Sequence, residues 1–383
     1  MQNNIPLSLY VHIPWCVKKC PYCDFNSHEK NDSFDEEKYV KALLTDLDEE
    51  YTNCQNRTLN SIFFGGGTPS IFSAESIAKI IDHSQRLFKF TDIEVTLEAN
   101  PGTFEQEKFN DFKNAGINRL SIGVQSFNDN HLKTLGRIHH RQQALTAIET
   151  AKKAGFENIN LDLMFGLPQQ SIQQAINDIK IACEFKVPHI SHYQLTIEEN
   201  TYFHKHTPAL PETDLIWEMQ TQCQNILADN KYHQYEISAY SQTNRNSAHN
   251  LNYWLFGDYI GIGAGAHGKV SEINTVDGTF LISRRWKHRQ PQQYIEQTLK
   301  NNALSGTQEL DQKDILFEFL LNALRLKNGS DIKTFENNTR LDFKMLNQAV
   351  NNIDPELLRI DRKRVTTTDK GFLFLNAILE KLI

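Results

Sequence analysis

Trp15-Cys16-Val17-Lys18-Lys19-Cys20-Pro21-Tyr22-Cys23-Asp24-Phe25 carries three cysteines within eight residues, directly after an apolar segment typical of a β-strand. Three thiolates on one tight loop can hold three corners of an iron–sulfur cubane, because each gap is short enough to wrap one face of the cluster. The other cysteines, Cys54, Cys183 and Cys223, stand alone and are interpreted as small apolar side chains. The spacing Cys-x3-Cys-x2-Cys therefore predicts an iron–sulfur site after the first strand.

Two other uses of the cysteine cluster remain open at this point. A structural zinc ion would need a fourth ligand, for which His12 and His28 are candidates, because the chain has no second Cys pair. A thioredoxin-like dithiol formed by Cys20 and Cys23 would leave Cys16 without a role. Both alternatives explain less of the sequence than an iron–sulfur cluster does.

Composition indicates a folded chain with a sizeable core. Of 383 residues, 39% are hydrophobic and 23 are Phe, which excludes global disorder. The net charge of -7 argues against a surface dominated by nucleic-acid binding, so we expect no nucleic-acid partner. The N-terminal residues 1–6 lack a basic or apolar signal region, and no run reaches the roughly 20 apolar residues of a membrane-spanning helix. We therefore expect a cytoplasmic protein, in a compartment where thiols stay reduced.

Apolar, β-branched runs alternate with helical patterns through the first half of the chain. Between them, helices are expected over 104–115, 144–154 and 172–185, two of which stop at Gly116 and Gly155. Six βα units in a row predict an α/β fold with a parallel sheet and outer helices. Periodicity does not distinguish an open sheet from a partial barrel, but both bind ligands at the carboxyl ends of the strands. The predicted strands are Leu7–His12, Ser61–Phe64, Ile93–Glu98, Arg119–Gly123, Ile159–Met164 and Ile190–Thr196.

Helix signals replace this alternation toward the C-terminus. The elements expected there are a helix at 214–228, a strand at 235–240, helices at 315–324 and 343–350, and a polar hairpin around 361–364. With a last helix capped by Thr368 or Asp369, this order resembles a winged-helix-like module. We therefore divide the chain into a core at 1–240, an extension at 241–300 and a C-terminal helical, winged-helix-like domain at 301–383.

Glycines and polar residues follow several of the predicted strands. The run Phe64-Gly65-Gly66-Gly67-Thr68-Pro69 ends the second strand, where glycines let the backbone approach a ligand and offer N–H groups. Glu98, Gln125 and Asp162 lie near the ends of strands three, four and five. A single polar residue at such a position is typical of a helix cap or a turn. Because these residues all lie at the same edge of the predicted sheet, together they favour a ligand-binding site there. Arg137 adds a cation suited to a carboxylate.

In these motifs the chain resembles the radical S-adenosylmethionine (SAM) superfamily. The resemblance implies a partial (β/α)6 TIM-like barrel in which Cys16, Cys20 and Cys23 hold a 4Fe-4S cluster whose open iron binds SAM. It also implies that an electron from the cluster cleaves SAM to a 5'-deoxyadenosyl radical. The SAM-binding residues that it implies are Tyr10, Tyr22, Gly66, Gly67, Thr68, Glu98, Gln125, Arg137 and Asp162.

Within this superfamily the chain is similar to the oxygen-independent coproporphyrinogen III oxidase-like family. In the dehydrogenase branch of that family (HemN) a fourth cysteine follows at the position of Phe25, and a longer arm precedes the barrel than the fifteen residues before Cys16. Both differences favour the haem-chaperone branch (HemW), whose HNxxYW motif matches His249-Asn250-Leu251-Asn252-Tyr253-Trp254. An imidazole suits an axial iron bond, and flat aromatic faces suit a porphyrin. The haem-binding residues that this implies are His249, Asn250, Tyr253 and Trp254.

The chaperone resemblance implies haem as cargo, handed to haem-dependent respiratory proteins that include membrane-associated ones, and a cluster-dependent homodimer. Oxidative decarboxylation of coproporphyrinogen III stays the alternative function. A zinc-stabilised binding module is a third hypothesis from another class.

Two further segments carry weaker signals. Gly261–Gly268 resembles a dinucleotide-binding loop, but no βαβ unit follows it, so we expect it to close the barrel with His267 facing the cofactor region. Arg284–Arg289 is the strongest basic run. A solvated face is its simplest interpretation, and recruitment of haem propionates or of an acidic partner is the alternative.

Overall fold

The protein, described by a computed structural model over residues 4–31, 34–102, 106–273 and 278–382, is built from alternating strands and helices. Its strands are β1 (Leu7–Ile13), β2 (Trp15–Cys16), β3 (His28–Glu29), β4 (Leu59–Gly66), β5 (Glu94–Ala99), β6 (Arg119–Gln125), β7 (Asn158–Phe165), β8 (His189–Gln194), β9 (His233–Glu236), β10 (Ala239–Ser241), β11 (Asp258–Ile262), β12 (His267–Ile273), β13 (Phe280–Lys287), β14 (Leu304–Glu309), β15 (Ser330–Asp331), β16 (Leu358–Ile360) and β17 (Arg364–Thr367). Its helices are α1 (Glu36–Asn53), α2 (Ala74–Phe88), α3 (Gln106–Asn114), α4 (Asp129–Thr134), α5 (Arg141–Lys153), α6 (Ile172–Glu184), α7 (Tyr202–Lys205), α8 (Thr213–Asp229), α9 (Ala248–Trp254), α10 (Pro291–Thr298), α11 (Gln312–Ala323), α12 (Ile332–Thr339), α13 (Phe343–Val350), α14 (Asp369–Leu373) and α15 (Leu375–Leu379), with a 3-10 turn at Pro69–Ile71.

Twelve strands form one mixed sheet in the order β14-β13-β12-β11-β1-β4-β5-β6-β7-β8-β10-β9. Its centre is seven parallel neighbours, from β11 to β8, and the six from β1 to β8 confirm the six predicted strands. Because β8 pairs with β10 and not with β1, the barrel is partial, as the resemblance implied. Every residue of β6 is buried, as expected for a parallel strand covered on both faces.

The outer helices follow the predicted amphipathic patterns. α2 buries Ile77, Ile80 and Ile81, and its N-cap Ser73 accepts a hydrogen bond from the backbone N–H of Ser76. The two predicted glycine stops both take positive φ angles, 104° at Gly116 and 80° at Gly155, a conformation that favours glycine. The first residues of the helix predicted over 104–115 lie outside the described residues.

Two segments differ from expectation, and a third takes a form that the sequence analysis did not predict. The single strand predicted over 235–240 is two short antiparallel strands, β9 and β10, because the chain reverses between them. The HNxxYW segment forms the seven-residue helix α9, whose N-cap Ser247 accepts from the backbone N–H of Asn250. The glycine-rich segment is the turn between β11 and β12, and the side chain of His267 is exposed.

The C-terminal part packs around a second hydrophobic core, to which Phe256 and Ile282 also contribute. Phe319, Phe335, Leu346, Val365 and Ile378 are buried in it. Helices α11 to α13 are followed by the β16–β17 hairpin, which β15 completes to a three-stranded sheet. This order agrees with the predicted winged-helix-like arrangement. Across the described ranges, no helix combines the length and apolarity needed to cross a membrane.

Several basic side chains of the run 284–289 form ion pairs with acidic residues inside the protein. Lys287 Nζ lies 2.5 Å from both Asp46 Oδ1 and Glu50 Oε1, all three side chains being buried. Arg284 donates to the carboxylate of Glu318. The predicted solvated face is therefore wrong for these residues, because β13 turns alternate side chains toward α1 and α11.

Candidate functional site

The cysteine-bearing loop leaves the carboxyl end of β1 and is closed on itself by backbone hydrogen bonds. The N–H of Lys30 donates to the carbonyl of Cys16 at 2.8 Å, and the N–H of Cys23 donates to the carbonyl of Cys20 at 3.1 Å. The Nζ of Lys19 donates to the carbonyls of Phe25 and Ser27 at 3.2 and 3.1 Å. These bonds hold the three cysteines on one compact turn.

The glycine run after β4 lies against this loop. The N–H of Gly67 donates to the carbonyl of Ile13 at 2.8 Å, and that of Thr68 to the carbonyl of Trp15 at 2.7 Å. A Cβ added to Gly67 would lie 2.4 Å from the Trp15 carbonyl oxygen and 3.0 Å from Cys16 Sγ. The glycines therefore allow the second strand end to approach the cysteines, as the sequence pattern indicated.

Replacing Gly67 by alanine is expected to lower both thermal stability and iron content after anaerobic reconstitution. The new methyl group would meet backbone atoms, which cannot swing away, so we expect a cost of about 1–3 kcal/mol and a displaced cysteine loop. Gly278→Ala is the matched control, because a Cβ there meets nothing within 4 Å and only the positive φ is strained. Equal iron contents and melting temperatures in the two variants would contradict this steric argument.

A cavity of about 590 Å³ opens at the cysteine-bearing loop and extends into the barrel lumen. It is of the size that small-molecule sites have. Of the residues singled out in the sequence, it is lined by Cys16, Cys20, Cys23, Tyr22, Gly66, Gly67, Thr68, Glu98, Gln125, Arg137, Asp162 and Asn250. Tyr10, His249, Tyr253 and Trp254 do not line it. Tyr10 stacks on Phe63, and its hydroxyl lies 3.0 Å from His12 Nδ1.

Arg137 connects the cysteine-bearing loop to the neighbouring strand ends. Its Nη1 lies 3.7 Å from Cys20 Sγ, and its Nη2 donates to Asn100 Oδ1 at 2.5 Å and to the carbonyl of Gly123 at 2.8 Å. Asn100 in turn donates to Thr68 Oγ1 at 2.8 Å. A fixed cation thus stands beside a cysteine at the mouth of the cavity.

Two carboxyl groups face the middle of the lumen. Burial and the neighbouring Asp162 raise the pKa of Glu98 to about 8, so Glu98 is largely protonated at pH 7. Burial also raises the pKa of Asp162, which accepts hydrogen bonds from Ser121 and Asn160 at 2.9 and 2.8 Å. Glu98 accepts from the backbone N–H of Gly66 at 3.2 Å. Glu98 in its protonated form and the neighbouring carboxyl group of Asp162 can form hydrogen bonds with the hydroxyl groups of a ligand that contains a sugar.

Gln125 ends β6 in a strained backbone conformation. Its φ angle is 67°, and the pairing of β6 with β7 shifts register just before it. Such left-handed non-glycine residues occur where a site fixes a side chain. The side chain of Gln125 accepts from the hydroxyl of Tyr193 at 2.8 Å. Tyr193 lines the cavity and was not singled out in the sequence, where it is one aromatic in a buried strand.

The HNxxYW helix lies at the opposite end of the barrel from the cysteines. His249 Nδ1 lies 2.9 Å from the hydroxyl of Ser61, near the beginning of β4, and its backbone N–H donates to Glu94, the first residue of β5. The cysteines instead follow the last residue of β1, which is parallel to β4. Helix α9 therefore closes the floor of the lumen, and Asn250 reaches the cavity from below.

Comparison with known proteins agrees with this geometry. Residues 10–182 match the radical SAM superfamily, and residues 310–374 match the HemN C-terminal domain. Heme chaperone HemW of Haemophilus influenzae is 45% identical over 381 residues, covering 98% of this chain and 97% of that protein. Heme chaperone HemW of Escherichia coli is 44% identical over 377 residues, covering 98% and 97%. The chain belongs to the HemW family of radical SAM proteins.

A solved structure supports the fold of this HemW family member. Coproporphyrinogen III oxidase (HemN) from Escherichia coli superposes with a TM-score of 0.82 at 22% identity, covering 100% of this chain and 91% of that one. At this identity the match speaks for the fold alone. It agrees with the partial barrel and with the helical C-terminal domain.

The donor set of this HemW family chain suits an iron–sulfur cluster. Three soft sulfur atoms line one cavity wall with Arg137 beside them. Burial raises the pKa of the Cys16 thiol to about 11, so a bound metal is needed to keep this sulfur deprotonated. His12, a candidate for the fourth ligand of zinc, has both ring nitrogens engaged, with Tyr10 and with the Asn26 carbonyl at 2.9 Å. Cys54, Cys183 and Cys223 are buried and free, away from the cavity.

Sequence reasoning missed the residues that form the lower part of the lumen in this HemW family chain. Glu236, Ser238 and Arg325 line the cavity together with Asn250. Glu236 belongs to β9, whereas Arg325 follows α11 in the C-terminal domain. No sequence motif identifies these residues, because the fold brings Glu236 and Arg325 together from positions about ninety residues apart.

Proposed function

We propose that this protein is a haem chaperone that holds a 4Fe-4S cluster and SAM in the upper lumen and binds haem at its HNxxYW helix. The observation that supports this proposal most strongly is the position of that motif on the floor of a SAM-type barrel. The chain also matches heme chaperones over nearly its full length. The proposed haem-binding helix and the cluster-binding residues then lie at opposite ends of the barrel.

In the upper lumen Cys16, Cys20 and Cys23 would hold the cluster, which supplies a one-electron reductant when bound. Gly66, Gly67 and Thr68 line the cavity beside it, with their N–H groups donated within the protein, and Arg137 offers a cation for a carboxylate. The proposed SAM site is completed by Tyr22, Glu98, Gln125 and Asp162, which also line the cavity. Tyr10 lies outside the cavity and contacts His12 through its hydroxyl group. The exposed Phe25, where a fourth cysteine would stand, leaves the loop with three thiols.

At the floor, burial lowers the pKa of His249 to about 3, so its imidazole is neutral at pH 7 and one ring nitrogen carries a free electron pair. Nε2 lies 3.2 Å from the Tyr253 hydroxyl, a long hydrogen bond. Coordination of haem iron by Nε2 therefore requires Tyr253 to swing away. Asn250 and Trp254 flank this position on the same helix.

Titration of ferric haem into the anaerobically purified protein is expected to give a stable Soret-band shift. His249→Ala is expected to change the position of that band and to weaken binding at least about tenfold, since an axial ligand is lost. Trp254→Ala is expected to weaken binding without moving the band. His83→Ala is the control, because His83 pairs with Asp48 at the surface. No stable shift in the unchanged protein, or identical spectra in all variants, would overturn the haem-binding proposal.

The dehydrogenase reaction is the alternative, because the lumen offers a full set of SAM-type residues. Incubation of the cluster-loaded protein with SAM, a reductant and coproporphyrinogen III separates the two functions. A chaperone leaves the substrate unchanged, whereas formation of protoporphyrinogen would establish the enzyme.

We further propose that haem passes from this protein to respiratory haem proteins, some at the membrane, and that cluster loading promotes a homodimer in the cytoplasm. The two proposals rest on the family resemblance. Haem transfer is measured as appearance of the acceptor's own spectrum after mixing with its haem-free form. Sedimentation of cluster-loaded and cluster-free protein tests the dimer.

A further inference from the structure

The lower lumen, defined as the part of the cavity lined by Glu236, Ser238, Asn250 and Arg325, is built jointly by the barrel and the C-terminal domain. The N–H of Ile237 donates to the carbonyl of Arg325 at 3.1 Å, and the N–H of Lys327 donates to the carbonyl of Tyr235 at 2.9 Å. These two bonds attach the C-terminal domain to β9. They bring the Arg325 side chain to the lumen.

Arg325 is held between an aromatic ring and a carboxylate. Its guanidinium carbon lies 4.4 Å from the ring centre of Trp254, a cation–π contact, and its Nη2 lies 3.1 Å from Glu236 Oε2. Its side chain keeps 30% of its surface exposed, while that of Glu236 keeps 5%. The cation is thus fixed in position and still accessible from the cavity.

Two hydrogen-bond donors beside each other lack an acceptor. Arg325 Nε and Trp254 Nε1 are buried and have no hydrogen-bond partner among the described residues. Buried N–H groups without a partner are rare in folded proteins and point to a missing acceptor. An accessible guanidinium next to an indole N–H suits an oxygen anion, above all a carboxylate.

We infer that Arg325 binds a propionate carboxylate of the tetrapyrrole and thereby fixes its orientation on helix α9. This inference rests on the proposed haem binding and adds a residue of the C-terminal domain to that site. Trp254 then positions Arg325 by ring contact. Glu236 is the group that holds Arg325 when no ligand is present.

Glu236 keeps a hydrogen-bond donor when Arg325 turns to a ligand. Burial raises the pKa of Glu236, and the backbone N–H of Ser238 remains to bond its carboxylate after Arg325 turns to a ligand. A carboxylate with other donors is not left unpaired. Arg325 can therefore exchange its ion pair with Glu236 for an ion pair with the carboxylate of the ligand.

The test compares haem with haem dimethyl ester, in which both propionates are blocked. The unchanged protein is expected to bind haem more tightly than the ester. Arg325→Gln is expected to weaken haem binding about 10- to 100-fold, the loss of a charge-assisted pair, while it leaves ester binding within about threefold. Arg325→Lys, which keeps the charge but not the planar fork, is expected to be intermediate. Arg364→Gln is the matched control, because Arg364 pairs with Asp331 at the surface of the same domain.

The outcomes separate this inference from the function on which it rests. If Arg325→Gln weakens haem and ester binding equally, or neither, Arg325 has no contact with a propionate and the inference fails alone. If the unchanged protein binds neither compound, the haem proposal and the inference fail together. Intact ester binding shows in the same experiment that the variant is folded.

Discussion

Cys20→Ser is expected to abolish cluster incorporation, with iron content falling to the background level and the brown absorbance lost. Cys20 faces the cavity with Arg137 Nη1 3.7 Å from its sulfur. A serine oxygen is a harder and far less acidic ligand than a thiolate, so two remaining thiols cannot hold the cluster. Iron and sulfide analysis with absorbance spectra after anaerobic reconstitution measures the effect.

Cys183→Ala is the matched control for this loss. Cys183 is buried in α6, away from the cavity, so the alanine variant is expected to keep its full iron content. Retained iron in Cys20→Ser, or equal loss in the two variants, would contradict the assignment of the loop. A colourless unchanged protein that carries zinc would contradict it more directly.

The fold was predictable because its signals are local. Each of the six parallel strands from β1 to β8 is a short, apolar, β-branched run, and glycines with positive φ mark helix ends such as Gly116 and Gly155. The cysteine-bearing loop was predictable for the same reason, since its three thiols lie within eight residues. Spacing along the chain is enough where neighbours in sequence are neighbours in space.

The lower lumen was not predictable, because it depends on contacts between distant parts of the chain. Arg325 and Glu236 meet only after the C-terminal domain adds to β9. The position of α9 at the floor of the lumen likewise depends on Ser61 and Glu94, which lie far from it in sequence. A motif predicts which side chains are present, whereas the sheet decides which end of the barrel they reach.

Lys287→Met is expected to destabilise the protein by about 3–5 kcal/mol, although Lys287 belongs to a run that looks like a solvated basic face. Its ammonium lies between the buried carboxylates of Asp46 and Glu50. Burial alone would lower the pKa of Lys287, but these carboxylates raise it, so the ammonium is charged at pH 7. Methionine fills similar space yet leaves Asp46 without a cation and Glu50 with only Arg285, whose Nε lies 3.7 Å from Glu50 Oε1. Denaturant unfolding under anaerobic conditions measures the loss.

Lys370→Met makes the same substitution in an ion pair of similar length at the surface. Lys370 Nζ lies 2.7 Å from Glu356 Oε2, and both side chains are exposed. We expect a much smaller loss there, because water and salt screen such a pair and solvate the carboxylate left behind. Equal losses in the two variants would mean that the cost at Lys287 does not come from buried charge. A large difference would show that the buried ion pairs of Lys287 attach β13 to α1 and stabilise the wall of the barrel.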